Sequence, residues 1–175
     1  MTGPNSLDDI DRQILALLQE DATVAVSDIA ARVGLSTTPC WKRINNLKKN
    51  GTIRKYVVLC DPEKLNLGTT VFVEISTSEH SEAWLKKFAK AVQAIPEIVD
   101  VYRMSGDVDY LLRVVVPDIR GYDAVYMRLI RSCELHDINS SFAMERIKYS
   151  TALPVGPLSS GVASPAPPAK KRLRA

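Results

Sequence analysis

The densest run of chemically useful side chains lies between Ser36 and Lys55, which holds six cations (Lys42, Arg43, Lys48, Lys49, Arg54 and Lys55) and no acid. Such a surface suits the phosphates of a nucleic acid, whose condensed counterions Lys and Arg displace. Thr37, Thr38 and Asn45, with Ser36 and Asn46 beside them, are interleaved with these cations. Hydroxyl and amide groups of that kind can hydrogen-bond base edges, whereas Lys48, Lys49, Arg54 and Lys55 suit backbone contacts. A basic helix can equally be a plain solvated face. A second run, Ser105-Gly106-Asp107-Val108-Asp109-Tyr110, has the composition of a turn that presents polar groups. Gly106 permits unusual backbone angles and close approach of another chain, and Asp109 can accept hydrogen bonds from the ammonium of an amino acid. The plain alternative is a hairpin whose aspartates satisfy their own turn amides.

Other chemistries fare worse. Cys40, Cys60 and Cys133 are odd in number and share no CxxC spacing, and the two histidines, His80 and His136, lie far apart, so neither a disulfide framework nor a metal site is expected. Neither histidine has a cysteine or serine partner at a spacing that would make a nucleophile and base, so no catalytic residue and no cofactor are expected. The 175 residues are 46% apolar and 25% charged, enough to bury a core in one ordinary domain or two small ones. No apolar stretch approaches the length of a membrane span, and the N-terminus lacks the regions of a signal peptide. A cytoplasmic protein without membrane contact is expected. The net charge of +3 is unevenly spread. Residues 1–60 carry 8 basic and 6 acidic side chains, residues 61–150 carry 11 and 14, and residues 151–175 carry 4 and none.

These residues need elements to hold them. Leu7, Ile10, Ile14, Leu15, Leu17 and Leu18 recur at helical spacing, with Ser6 and Asp9 placed as a capping box and an end expected near Asp21. A second helix is predicted over Asp28 to Val33 with Ser27 as its N-cap, stopped by Gly34. Ser36 opens a third, which runs to about Asn50 before Gly51, with Pro39 tolerated in its first turn. The pair reads as a helix-turn-helix, and short extended segments after Gly51 can form a wing. On the third helix Cys40, Ile44 and Leu47 share one face, opposite Thr38, Lys42, Asn45 and Lys49. Trp41 admits either packing at the helix edge or a groove contact, and packing is the commoner fate of a tryptophan.

From Gly68 the period changes to strand alternation at Val71, Val73 and Ile75. It returns to helix through Trp84, Leu85, Phe88, Val92 and Ile95, and then gives a hairpin of Ile98 to Met104 and Asp109 to Val116. A second helical stripe of Tyr122, Tyr126, Leu129, Ile130 and Cys133 precedes a last alternating run from Ile138 to Tyr149. The order β-α-β-β-α-β is the ferredoxin-like split unit, which makes the chain α+β. The final stretch, rich in Pro, Ser and Ala and closing on KKRLRA, reads as a disordered basic tail.

LDDIDRQILALLQEDA, VGLS, TTPCWKRINNLKKNGTI and MSGDVDYLLRV, falling in order over residues 7–153, resemble the leucine-responsive/asparagine-operon (Lrp/AsnC) regulator family. TTPCWKR, RMSGDVDYLLRV and SSFAMERIKYSTALP resemble most nearly its DecR-like, cysteine-responsive subgroup. The resemblance implies a winged helix-turn-helix DNA-binding domain with linker at residues 1–60. It also implies a ligand-sensing and oligomerising RAM domain at 61–153, and it leaves 154–175 as a tail without counterpart. It further implies double-stranded DNA as partner, a small amino-acid effector with cysteine or a related sulfur amino acid foremost, and a homodimer that can build up to an octamer. Carried over by position, the effector pocket, at an interface between dimers, takes Met104, Gly106, Asp107, Asp109 and Tyr110 together with Ser140, Ser141, Phe142 and Ala143. The residues alone leave Ser140 and Ser141 equally readable as routine strand positions. An effector-independent, nucleoid-type architectural protein shares the DNA-binding features and differs only at the sensing site.

Overall fold

The computed structural model describes residues 7–156. They form two units, one running up to Val57 and resumed from Ser150, the other spanning Val58–Tyr149.

In the first unit, α1 (Asp9–Glu20), α2 (Val26–Arg32) and α3 (Thr37–Lys49) enclose Ile14, Leu15, Ile29, Ala30, Cys40, Ile44 and Leu47. Helix α1 starts from Asp8: its carboxylate accepts the Asp11 N–H at 2.8 Å, and the Asp11 carboxylate accepts the Asp8 N–H at 3.4 Å. The reciprocal cap therefore sits on aspartates, and Ser6, the cap expected from sequence, lies outside the described residues. Helix α2 begins two residues before the expected Asp28. Its cap position is Ala25, which supplies no side-chain bond, and Ser27 lies inside the first turn. Val26, packed against the core, holds that turn in place of a hydroxyl cap. The α2–α3 connection closes by a Schellman motif, with Leu35 N–H donating to Ala30 C=O at 2.9 Å and Gly34 N–H to Ala31 C=O at 3.4 Å. Gly34 takes φ +70° there, a conformation that costs glycine nothing sterically. Ser36 occupies the cap position of α3, although its hydroxyl makes no capping bond.

Arg43 of α3 donates to Asp8 at 2.7 Å and to Asp11 at 2.9 Å, tying the third helix to the start of the first. The Asp8 carboxyl lies below its ordinary range because it accepts the Asp11 N–H and because Arg43 sits beside it. Asp8→Ala is expected to cost about 1 kcal/mol, the usual magnitude for a lost N-cap. A carboxylate whose pKa falls on folding adds stability that is present above its unfolded value, about 3.9, and is lost as pH drops through the folded one. Thermal unfolding of wild type and variant should therefore differ at neutral pH and converge as pH falls below about 4.

In the second unit, β1 (Thr69–Ser76), β2 (Ile98–Arg103), β3 (Tyr110–Val116) and β4 (Asp137–Phe142) form one antiparallel sheet in the order β2-β3-β1-β4. Helices α4 (Glu82–Gln93) and α5 (Ile119–Ser132) complete the ferredoxin-like split unit. Val71, Val73 and Ile75 alternate with Phe72, Glu74 and Ser76 in β1, and the register sets Val71 opposite Val114 and Val73 opposite Leu112. That face packs on Trp84, Phe88 and Val92 of α4 and on Tyr122, Val125 and Leu129 of α5. Burying each such aliphatic side chain contributes about 1.5–3 kcal/mol.

Three expectations change. The inward stripe of α5 uses Val125, whereas Ile130 is 37% exposed, because a stripe through Tyr122 and Leu129 turns away from the position after Leu129. Strand β4 ends at Phe142 and not at Tyr149: Ala143 N–H bonds Thr70 C=O, and beyond Thr70 only Thr69 of β1 remains. Finally, the residues after Leu153 do not all stand free. Leu153 exchanges hydrogen bonds with the Gln19 side chain, Arg12 donates to Val155 C=O at 3.1 Å, and Val155 packs on the core of the first unit. Residues 157–175 of the predicted tail lie outside the described residues. Among those described, no strand precedes Thr69, so the extended segments after Gly51 have no ladder partner within this chain. No described helix is long and apolar enough to cross a membrane.

Candidate nucleic-acid interface and effector surface

Burial of Cys40, Ile44 and Leu47 fixes the rotation of α3. Thr37, Thr38, Lys42, Asn46 and Lys49 are then exposed, with Asn45 half-buried among them. Trp41, Lys42, Asn45, Asn46 and Lys49 line a shallow depression on this face. Among the described residues, no ion pair involves Lys42 or Lys49. The face thus presents free ammonium groups beside amide and hydroxyl groups, the mixture that phosphates and base edges require. Ser36 is exposed at the start of the helix, and Arg54 and Lys55 are exposed on the segment that follows it.

Two of the predicted contacts are otherwise occupied. Arg43 is half-buried and committed to Asp8 and Asp11, so its charge is neutralised within the unit. Lys48 lies over the Tyr56 ring, 4.8 Å from its centroid, in cation–π contact. Trp41 is 56% exposed and does not belong to the core of the first unit. Burial pushes the Cys40 and Cys133 thiols above the ordinary range, which keeps both neutral and unreactive.

The predicted effector residues fall into two groups. Met104, Gly106 and Asp107 are exposed at the β2–β3 turn, where Gly106 takes φ +123° and Asp107 C=O accepts the Ser76 hydroxyl at 3.2 Å. Asp109 is half-buried there, and its carboxylate accepts the Thr77 N–H at 2.8 Å. Thr77, which no sequence signal marked, is thus the residue that orients it. Tyr110 points the other way and packs in the core against Phe88 and Trp84, its ring tilted to both with centroids 4.6 and 5.8 Å away. It borders an open groove of about 510 Å³ between α4 and β2 that none of the other predicted residues line. Ser140 and Phe142 face α5, where Ser140 shares a short hydrogen bond with the Tyr122 hydroxyl and Phe142 meets the Tyr122 ring edge-on. Ser141, opposite Phe72, lies on the other face. Ala143 sits at the Thr70 end of β1 and the turn at its Ser76 end, about 20 Å apart at strand rise. Within one chain Ala143 therefore does not share one small ligand with the turn, and Ser140, opposite Val73, lies about 10 Å along β1 from it.

Comparison with known proteins agrees with both halves. Residues 7–48 match the AsnC-type helix-turn-helix domain, and residues 70–153 match the Lrp/AsnC ligand binding domain. The DNA-binding transcriptional activator DecR of Escherichia coli (strain K12) is 49% identical over 150 residues, covering 85% of this chain and 99% of its own. The crystal structure of an AsnC family transcriptional regulator from Agrobacterium tumefaciens superposes with a TM-score of 0.83 at 58% identity, covering 85% of this chain and 97% of that one. A transcriptional regulator from Neisseria meningitidis, solved in complex with L-Met, gives 0.82 at 32% identity over 86% and 97%. With a helix-turn-helix unit whose α3 turns a basic, acid-free face outward and a ferredoxin-like unit following it in sequence, the chain belongs to the Lrp/AsnC family of transcriptional regulators, which are DNA-binding proteins and not enzymes.

Proposed function

We propose that this protein is a sequence-specific regulator of amino-acid metabolism genes, acting in the cytoplasm, that reads double-stranded DNA with α3. In this reading it answers to a small amino acid, with cysteine or a related sulfur amino acid foremost and leucine or alanine behind it. The outward face of α3, which combines unpaired Lys42 and Lys49 with Thr38, Asn45 and Asn46, carries the DNA assignment. Residues up to about 60 then serve DNA binding, and 61–153 serve sensing and assembly.

A single short recognition helix gives limited specificity, so the chain works at least as a dimer on paired half-sites. The sheet face away from α4 and α5, with Phe72, Leu111 and Val115 partly exposed, supports that contact. A second chain also explains how the two predicted groups of effector residues, separated along β1, can line one pocket. The amino-acid class is supported by the L-Met complex of the Neisseria relative and by the chemistry of the turn. An α-amino acid needs an acceptor for its ammonium and donors for its carboxylate, which Asp109 and the backbone amides around Gly106 can provide.

A ligand that binds only the native state raises apparent stability by mass action. Thermal-shift measurements with the twenty amino acids, under reducing conditions, should give an upward shift for cysteine or methionine, with a matching change in affinity for a selected duplex. If no amino acid moves either quantity, the protein is an effector-independent architectural DNA binder and the sensing assignment is wrong.

A further inference from the structure

Trp41 has no structural employment in the fold. The first-unit core is complete without it, yet its indole is 56% exposed on α3, one helical turn before Asn45 and at the rim of the depression that Lys42, Asn46 and Lys49 share. Side chains four residues apart on a helix are neighbours, so the indole and the half-buried Asn45 carboxamide can meet one base step together. The indole carries no charge for phosphates. Its apolar edge suits the one apolar group exposed in the major groove, the C5-methyl of thymine, while an asparagine carboxamide can pair with N6 and N7 of an adenine.

We propose that Trp41 is a specificity-determining residue that reads a thymine methyl in the major groove, with Asn45 reading an adenine beside it. The inference rests on the DNA-binding role proposed for α3 and adds the base class that the helix selects. Removing Trp41 should leave electrostatic binding intact, because no phosphate contact is lost, and should erase preference at one A·T position.

The test begins with a duplex selected from random sequence by the full-length wild type, whose thymines are then replaced one at a time by deoxyuridine, which lacks only the methyl. At one position the replacement should weaken wild-type binding about fivefold or more, the lower end of the usual cost of a wrong base pair. Trp41→Ala should bind the unmodified duplex about that much more weakly, show no further loss with deoxyuridine, and bind random duplex within about twofold of wild type. Trp41→Phe should restore part of the methyl sensitivity. The thermal transition of each variant should match that of the wild type, since no buried contact is removed. A Trp41→Ala protein that keeps the wild-type deoxyuridine profile overturns the proposal. An equal loss on selected and random duplexes also overturns it, by making Trp41 a general positioning contact. Should the wild type itself bind DNA without salt dependence, the DNA-binding role of α3 fails instead, before the methyl readout is reached.

Discussion

Replacing Lys42 and Lys49 together by alanine is expected to weaken binding to every duplex, whatever its sequence, by about tenfold or more near physiological salt, and to flatten the slope of log affinity on log salt by about two. Each side chain is exposed on the face of α3 opposite Cys40, Ile44 and Leu47, and neither is drawn into an ion pair among the described residues. Both ammonium groups are therefore free to displace counterions. The fold should be unaffected, because neither residue belongs to the core of the first unit. Arg43→Ala is the informative contrast. Its guanidinium already meets Asp8 and Asp11, so its removal should lower thermal stability while changing the salt slope little. If Arg43→Ala flattened the slope and the lysine pair did not, the rotation of α3 toward DNA would be wrong. Fluorescence anisotropy across a salt series on selected and random duplexes measures all of these quantities.

Asp109→Asn should separate the two roles open to that carboxylate, with a loss of effector affinity of about 10- to 150-fold, the range for a hydrogen bond to a charged group worth about 1.5–3 kcal/mol. In the fold, Asp109 accepts the Thr77 N–H and so anchors the end of β1 to the β2–β3 turn. An asparagine carbonyl can accept the same bond, so stability and ligand-free DNA binding should stay near wild type. The charge that attracts an ammonium is gone. Asp109→Ala removes both functions and leaves the Thr77 amide without its partner, which makes it the destabilised control. Calorimetry with cysteine under reducing conditions distinguishes the outcomes. Unchanged binding by Asp109→Asn would confine Asp109 to the Thr77 tie, and the ammonium would have to be held elsewhere.

These two residues also show where the sequence was informative and where it was not. The helix-turn-helix and the β-α-β-β-α-β order were legible because burying one face of each element writes its period into the chain, as in Cys40, Ile44 and Leu47 or Val71, Val73 and Ile75. Partners remote in sequence leave no such mark. The run after Ser36 shows Arg43 as one cation among six, and only the approach of α1 reveals the acids that neutralise it. Asp109 looks like a turn residue until Thr77, 32 positions earlier, is seen to donate to it. The alternation that continues past Phe142 is genuine, but β1 begins at Thr69 and a strand cannot extend beyond its partner. Val155 lies in a stretch whose composition speaks for disorder, and its contact with the first helix depends on a return of the chain that composition does not encode. The exposure of Trp41 was hidden for a similar reason, since its position at the flank of the buried stripe allows either fate.

In the function proposed, α3 binds DNA electrostatically and selectively. Its most direct test is the salt dependence of wild-type association with a selected duplex beside that with a random one. Log affinity should fall linearly with log salt on both duplexes, with a slope of several counterions, and the selected duplex should stay about a thousandfold or more tighter, the lower end of typical specificity ratios. A slope near zero on either duplex, or equal affinity for the two at every salt concentration, would contradict it.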